Sequence, residues 1–128
     1  MDFDPLSNRV INAALKVHSA LGPGLFEEVY KVCLRHQLSV DGLKVFAEVG
    51  LPVIYNGVEL DIGYRIDLLI EDSLIIELKS VETILPLHKA QLLTYLKLAH
   101  KQVGLLLNFN SEHLHHGIVR IINSYTPS

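Results

Sequence analysis

The chain has few of the features that mark several functional classes. Its 128 residues include one cysteine, Cys33, which excludes an internal disulfide and favours a reducing compartment such as the cytoplasm. It has no apolar run near the roughly 20 residues of a membrane-spanning helix, so we expect no membrane partner. Basic residues are not in excess, because the net charge is −3 with histidine neutral. Nucleic-acid binders usually carry a basic footprint, so any basic surface here must be local.

The remaining composition favours one folded domain. Apolar residues make up 49% of the chain, enough for a single core, and the length favours one domain over 1–128. The first residues are acidic where a signal peptide would be basic, so we expect no secretory signal and a cytoplasmic protein. We see no internal repeat, low-complexity segment or linker. Cys33 is expected to be a small packed residue rather than a catalytic one.

The stretch over residues 64–80 organises the chain. It contains two apolar segments joined by a three-residue polar turn, a pattern that predicts a β-hairpin. If Ile70 pairs with Leu74, Asp67 falls opposite Glu77.

Two opposed carboxylates need a partner, since like charges across a sheet repel and burying either is costly. A divalent cation such as Mg²⁺ or Mn²⁺ would remove both problems, because hard oxygen ligands suit these ions. Strand alternation places Glu77 and Lys79 on one face, and Ile76 and Leu78 on the other.

Patterns elsewhere predict an α/β fold with a mixed sheet. Helical periodicity indicates helices over 6–20, 25–40 and 86–99, the first with Asp4 as N-cap and Pro5 at its first position. Strands are expected over 44–49, 51–55, 58–62 and 103–109, with a short strand or helical turn over 118–122 and a loose tail from Asn123. Asn56-Gly57 predicts a tight hairpin turn. The helix between Lys79 and Val103 predicts a right-handed parallel crossover.

Asp67 followed by Glu77-Leu78-Lys79 resembles the core motif of the PD-(D/E)XK nuclease superfamily. Within it, the chain is similar to a small group, the GxxExxY proteins, whose motif corresponds here to Gly-Leu-Phe-Glu-Glu-Val-Tyr at 24–30. The similarity extends to residues 63–69, 90–96 and 104–109. A lone Glu-x-Lys is common by chance, but this ordered set is specific. It implies a restriction-endonuclease-like core, with helices flanking a mixed sheet.

The resemblance also implies roles for individual residues. The implied metal ligands are Asp67, Glu77, the backbone carbonyl of Leu78, and Glu27 from the second helix. Lys79 would orient or activate the attacking water, and Gln91 would lie near the site. A bound metal acidifies water and stabilises charge on a phosphodiester oxygen, so these roles are chemically sensible.

Several residues have two open interpretations. Asp67 and Glu77 would alternatively form a structural ion pair with Arg65 and Lys79. Arg65 would either bind a substrate phosphate or brace Asp67. The aromatic pair Tyr30 and Tyr95 would contact substrate or pack at the edge of the core. The three histidines at 113, 115 and 116 are interpreted as a solvated, phosphate-facing patch rather than a metal site.

The leading functional hypothesis is a Mg²⁺- or Mn²⁺-dependent nuclease acting on DNA or RNA. One alternative is a nucleic-acid or protein binding module that keeps the fold with a weak site. Another is a homodimeric, resolvase-like enzyme on branched DNA. So short a chain has little room for its own substrate-reading domain, which favours a homodimer or a partner protein.

Overall fold

The chain is described over residues 3–124 by a computed structural model. Its elements in chain order are α1 (Pro5–Leu21), α2 (Glu27–Val40), β1 (Val45–Gly50), β2 (Val53–Tyr55), β3 (Val58–Leu60), β4 (Arg65–Ile70), β5 (Leu74–Lys79), α3 (Pro86–Ala99), β6 (Val103–Asn108), a short 3₁₀ helix (Leu114–Gly117) and β7 (Ile118–Ile122). The expected α/β architecture is confirmed, with one five-stranded mixed sheet between helical layers.

Local sequence signals set the helix ends. The Asp4 carboxylate accepts the amide of Ser7 at 3.0 Å and so caps α1, as predicted. The second helix begins at Glu27 rather than Leu25, because Pro23 and two positive-φ glycines hold the preceding loop away from helical geometry. At the start of α3, the amide of Leu85 donates to Nδ1 of His88 at 3.0 Å.

The five-stranded sheet has the order β1-β4-β5-β6-β7. Among the described strands only β5 and β6 run parallel, and α3 connects them, which confirms the predicted parallel connection. Strand β6 is central and almost entirely buried because its residues are apolar on both faces. A side chain at Gly104 would clash with Leu92, since a Cβ would lie 2.8 Å from its Cδ1, so this glycine lets α3 pack closely on β6.

The Asn56-Gly57 turn joins β2 and β3 as predicted, with φ angles of +52° and +73°. These strands form a separate two-stranded sheet, and β3 ends at Leu60 instead of reaching Ile62. The residues between β3 and β4 are exposed. This hairpin therefore projects from the main sheet, next to the strand that carries Asp67.

Two apolar clusters pack on opposite faces of the sheet. The first contains residues of α1 and α2 together with Leu74, Ile76 and Leu78 of β5. The second contains residues of α3 together with Ile75. Cys33 is half-buried and packs against the first cluster, as expected for a structural cysteine.

The tail does not become loose at Asn123. This residue is buried, and its amide donates to the carbonyl of Gln102 at 2.7 Å. The expectation of a loose tail was wrong at this residue, because its hydrogen bond joins the end of β7 to the loop before β6. The segment beyond Ser124, to which the same expectation applied, lies outside the described residues. Within the described chain, no helix is both long and apolar enough to cross a membrane.

Candidate active site

The hairpin of β4 and β5 has the predicted register. Ile70 pairs with Leu74 and Leu68 pairs with Ile76, so the next position sets Asp67 against Glu77. The turn between the strands contains three residues, two of them with positive φ. Because turn length fixes the register of a hairpin, this turn determines that the two carboxylates meet.

The two carboxylates replace the regular backbone pairing at this position. The amide of Asp67 donates to Oε2 of Glu77 at 3.1 Å, and the amide of Leu78 donates to Oδ2 of Asp67 at 2.9 Å. Each side chain is therefore held by the backbone of the opposite strand. Glu77 is 6% exposed and Asp67 is half-buried, so the pair lies within the sheet, between β4 and β5, rather than free in solvent.

Among the described residues, the carboxylate pair lacks a positive charge that would balance it, and the raised pKa of Glu77 shows this. Burial, together with the hydrogen bond and negative charge of Asp67, raises the pKa of Glu77 from 4.5 to about 9. The hydrogen bond from the Asp67 amide, and then the charge of Lys79, lower it only partly. At neutral pH, Glu77 holds a proton in the absence of another cation. A divalent cation would take the place of that proton.

The donor atoms fit a hard divalent cation such as Mg²⁺ or Mn²⁺. Two carboxylates supply oxygens from adjacent strands, and such ions prefer oxygen ligands. The N–H of Leu78 points towards β4, since it donates to Asp67. The N–H and C=O of one strand residue point to the same edge, so the carbonyl of Leu78 is directed towards Asp67 as well.

Lys79 ends β5 two residues after Glu77, and its side chain is half-buried. Ile76 and Leu78 belong to the cluster on the α1–α2 face, so alternation directs Glu77 and Lys79 to the opposite face. Over residues 3–124, the ion pairs are Lys31–Glu28, Lys31–Glu48, Lys101–Asp72 and Arg120–Asp4. Neither Lys79 nor Arg65 takes part, so the alternative of a structural ion-pair network is wrong.

Glu27 lies at the first position of α2 with an exposed side chain. The hydroxyl of Ser80 donates to the carbonyl of Leu25 at 2.6 Å, which places the start of α2 beside the end of β5. In the part of the chain described, no three His, Cys, Asp or Glu side chains form a group that could hold a metal. Glu27 therefore does not complete a three-carboxylate set with Asp67 and Glu77 in this conformation. The three histidines at 113, 115 and 116 form no metal group either.

Tyr30 belongs to the core. It is fully buried, it stacks on Phe109 with ring centroids 4.6 Å apart, and its hydroxyl donates to the carbonyl of Gly22 at 2.6 Å. That hydroxyl also accepts the amide of Leu25 at 3.1 Å. Tyr30 thus shapes the loop before α2 and has no surface to offer a substrate.

Gln91 and Tyr95 lie one turn apart on α3 and line a groove beside the carboxylates. Tyr95 is 7% exposed, and burial, then the charge of Glu77, raises the pKa of its hydroxyl. Arg65 is exposed at the start of β4, and its Nη1 donates to the carbonyl of Tyr64 at 3.4 Å. It makes no ion pair with Asp67 among the described residues, so it does not brace that carboxylate.

Lys31 on α2 is a charged neighbour of the site that the sequence patterns did not reveal. Its ammonium pairs with Glu48 and, at 3.0 Å, with Glu28. Burial lowers the pKa of Lys31, but these hydrogen bonds and the charge of Asp67 raise it more, so the lysine stays charged. The one indication in the sequence was that Lys31 directly follows Tyr30, the last residue of the helix motif. Only the packing of α2 on the sheet brings Lys31 near Asp67.

Comparison with known proteins agrees with this geometry. The sequence model of the PD-(D/E)XK nuclease superfamily matches residues 4–121, nearly the whole chain. No curated protein and no solved structure matches the chain.

Proposed function

The chain belongs to the PD-(D/E)XK nuclease superfamily, and we propose that it is a metal-dependent nuclease that hydrolyses phosphodiester bonds of DNA or RNA. The observation that supports this most is the pair Asp67 and Glu77, which are held against each other by reciprocal hydrogen bonds to backbone amides. Two crowded carboxylates cost stability unless a cation joins them. Their presence beside a lysine is better explained by catalysis than by folding.

Three groups would hold Mg²⁺ or Mn²⁺, namely the carboxylates of Asp67 and Glu77 and the carbonyl of Leu78. When bound, the ion supplies Lewis-acid stabilisation of phosphoryl charge and lowers the pKa of water. We propose Glu27 as a further ligand, which would require its exposed side chain to turn towards the pair on binding.

Lys79 would hold the attacking water and offset negative charge as it develops on the phosphoryl oxygens. Lys79 lies on the same strand face as Glu77. The rise between the two residues along the strand is about 6–7 Å. The water oxygen forms a bond to phosphorus, the bond from phosphorus to the leaving oxygen breaks, and one water proton ends on that leaving oxygen. The chain itself therefore provides the positive charge on the side of the nucleophile.

Gln91 would contact the substrate or the attacking water from α3. Arg65 would bind a phosphate, since its guanidinium is exposed and makes no ion pair in the described chain. The helix motif at 24–30 further supports assignment to the GxxExxY group within the superfamily.

A cleavage assay tests the proposal. Labelled single-stranded, duplex and branched DNA and RNA are incubated with the protein in Mg²⁺, Mn²⁺ or EDTA. We expect cleavage only with metal, and a loss on the order of a hundredfold or more in Asp67→Asn. Asp72→Asn is the matched control, because Asp72 lies in the exposed turn of the same hairpin.

Each other outcome has a distinct meaning. Equal cleavage by wild type and Asp67→Asn would show that the activity does not come from this site. Binding without cleavage of any substrate would favour the binding-module alternative. Selective cleavage of branched DNA by a species with the mass of a dimer would favour the resolvase-like alternative.

A further inference from the structure

An uncharged groove lies between α3 and the segment that leads from the β2–β3 hairpin into β4. Its volume is about 520 Å³, and its walls include Ile62, Tyr64, Leu87, Gln91, Thr94 and Tyr95. None of the residues that line it within the described chain carries a charge. It is therefore chemically unlike the carboxylate pair beside it.

Several apolar side chains in the walls of this groove are exposed to solvent. Leu87 is 74% exposed, Ile62 is 58% exposed and Tyr64 is 43% exposed. Contiguous exposed apolar surface of this kind often marks a binding site. The rings of Tyr64 and Tyr95 lie 5.9 Å apart at their centroids and are tilted by 58°, and both residues line the groove.

The groove lies on the sheet face to which Glu77 points. Alternation along β5 directs Glu77 to the face that α3 covers, and Tyr95 of α3 lines the groove. Tyr64 lines it too and lies three residues before Asp67 in the chain. A substrate whose phosphate reached the carboxylates would place its adjoining nucleoside at the groove.

The chemistry of the groove selects the base of a nucleotide and not its phosphate. Aromatic rings and aliphatic side chains suit the flat face of a base, and the exposed Gln91 and Thr94 can hydrogen-bond its edge. Phosphates need cations, which the groove lacks, whereas Lys79 lies beside the carboxylates. In a duplex, stacking and pairing hide the faces and edges of each base, so only an unpaired base can enter.

The charge of the whole chain leads to the same substrate class. Duplex binding depends on neutralising many phosphates, and this chain has a net charge of −3. Stacking can supply affinity where phosphate contacts are few. Building on the proposed function, we propose that the groove between Tyr64 and α3 binds an unpaired base next to the scissile phosphate, so that the substrate is single-stranded or locally unpaired nucleic acid.

Binding measurements test the groove separately from cleavage. Fluorescence anisotropy in EDTA compares a labelled 12-nucleotide single strand, its blunt duplex, and a single strand of the same length with abasic sites throughout. We expect the single strand to bind on the order of tenfold more tightly than either of the others, since base–aromatic stacking supplies most of the difference. Equal affinity for the base-bearing and abasic strands would overturn the proposal, and so would tighter binding to the duplex.

Variants then locate the binding to the groove. Tyr64→Ala should weaken single-strand binding on the order of tenfold, while Tyr64→Phe, which keeps the ring, should bind as wild type does. Tyr55→Ala is the matched control, because Tyr55 is 68% exposed on the β2–β3 hairpin and does not line the groove. If Tyr64→Ala fails to fold, Leu87→Ser replaces it, since Leu87 is the most exposed of these residues.

Failure of this proposal and failure of the nuclease proposal are distinguishable. Wild-type affinity in both Tyr64→Ala and Leu87→Ser would remove the groove from substrate binding, whatever the cleavage assay shows. Single-strand binding that depends on Tyr64, without any metal-dependent cleavage, would support the groove and contradict the nuclease activity.

Discussion

The amide of Asp67 donates to the carboxylate of Glu77, and the carboxylate of Asp67 accepts the amide that follows Glu77 in the chain. This reciprocal arrangement fixes both side chains on neighbouring strands without a counter-charge from an ion pair. It places two oxygen-rich groups between β4 and β5, where the regular pairing of these strands ends. Their proximity costs stability, and a bound cation would offset that cost.

Replacing Asp67 by asparagine should leave the fold intact and should not lower its stability in chelator. The amide oxygen of Asn can still accept from Leu78, and loss of the negative charge at position 67 removes one of the causes that force Glu77 to hold a proton. Thermal melts of wild type and Asp67→Asn in EDTA measure this. A large drop in melting temperature would show that Asp67 stabilises the fold as a charged group. Excess Mn²⁺ should raise the melting temperature of wild type more than that of the variant.

The stability of wild type in chelator should fall as pH rises from about 5 to 9. Glu77 has a pKa of 4.5 in its unperturbed form and about 9 in the folded protein. Between these values the folded state holds a proton that the unfolded state has lost. The free energy of unfolding therefore decreases with pH across this window. Asp67→Asn should flatten the slope, because the hydrogen bond and charge of Asp67 are part of the cause.

Urea denaturation at several pH values, carried out in parallel for the two proteins, gives this slope. Groups away from the carboxyl pair contribute equally to both proteins, so the difference between the two slopes isolates the pair. Parallel slopes would contradict the pKa assignment.

Lys79→Ala should abolish phosphodiester cleavage while metal binding survives. A charged lysine has no lone pair for a metal, so it cannot be a ligand as Glu77 can. Its removal costs the attacking water its orientation and the transition state a positive charge, a loss on the order of a hundredfold or more. Calorimetric titration of Mn²⁺ and the cleavage assay measure the two properties. Affinity for Mn²⁺ should stay the same or rise, because a repelling cation is gone.

Lys101→Ala is the control for that variant. Lys101 pairs with Asp72 in the hairpin turn before β5, whereas Lys79 lies at the other end of that strand. It should cleave as wild type does. Full cleavage by Lys79→Ala would remove this lysine from the mechanism, whereas loss of Mn²⁺ binding would indicate that Lys79 positions the ligands.

Asp4→Ala should destabilise the protein by about 1 kcal/mol at neutral pH, the usual effect of removing an N-cap. Burial raises the pKa of Asp4, but hydrogen bonds from Ser7 and Arg120 lower it more, to about 2. A lowered carboxyl pKa stabilises the folded state above the unfolded value of 3.8, and this contribution disappears as pH falls towards 2. The difference between wild type and variant in denaturant melts should therefore shrink below pH 4. A constant difference down to pH 2 would mean that packing, not charge, stabilises the helix start.

Much of the fold could be predicted because its signals are local. Asp4 and Pro5 set the start of α1, and Asn56-Gly57 set the β2–β3 turn. The three-residue turn after Ile70 fixed the register that brings Asp67 to Glu77. The almost wholly apolar run over 103–109 predicted a strand, and β6 over Val103–Asn108 is buried on both faces. In each case, neighbours in the chain determine the outcome.

The surroundings of the carboxylate pair could not be predicted in the same way. Tyr30 was open to two interpretations because its position in the helix does not show how deeply its side chain is buried. The packing of α2 against Phe109 buries it. Lys31 became a neighbour of Asp67 by the same packing.

That two carboxylates and a lysine share one hairpin follows from spacing, alternation and turn length, which are properties of adjacent residues. Their surroundings depend on the packing of distant elements. The groove joins Tyr64, at the entry to β4, with Gln91 and Tyr95 of α3. These segments are far apart in the chain, and the close approach of α3 to the sheet at Gly104 brings them together. Contacts of that kind depend on how whole elements pack, which no local pattern specifies.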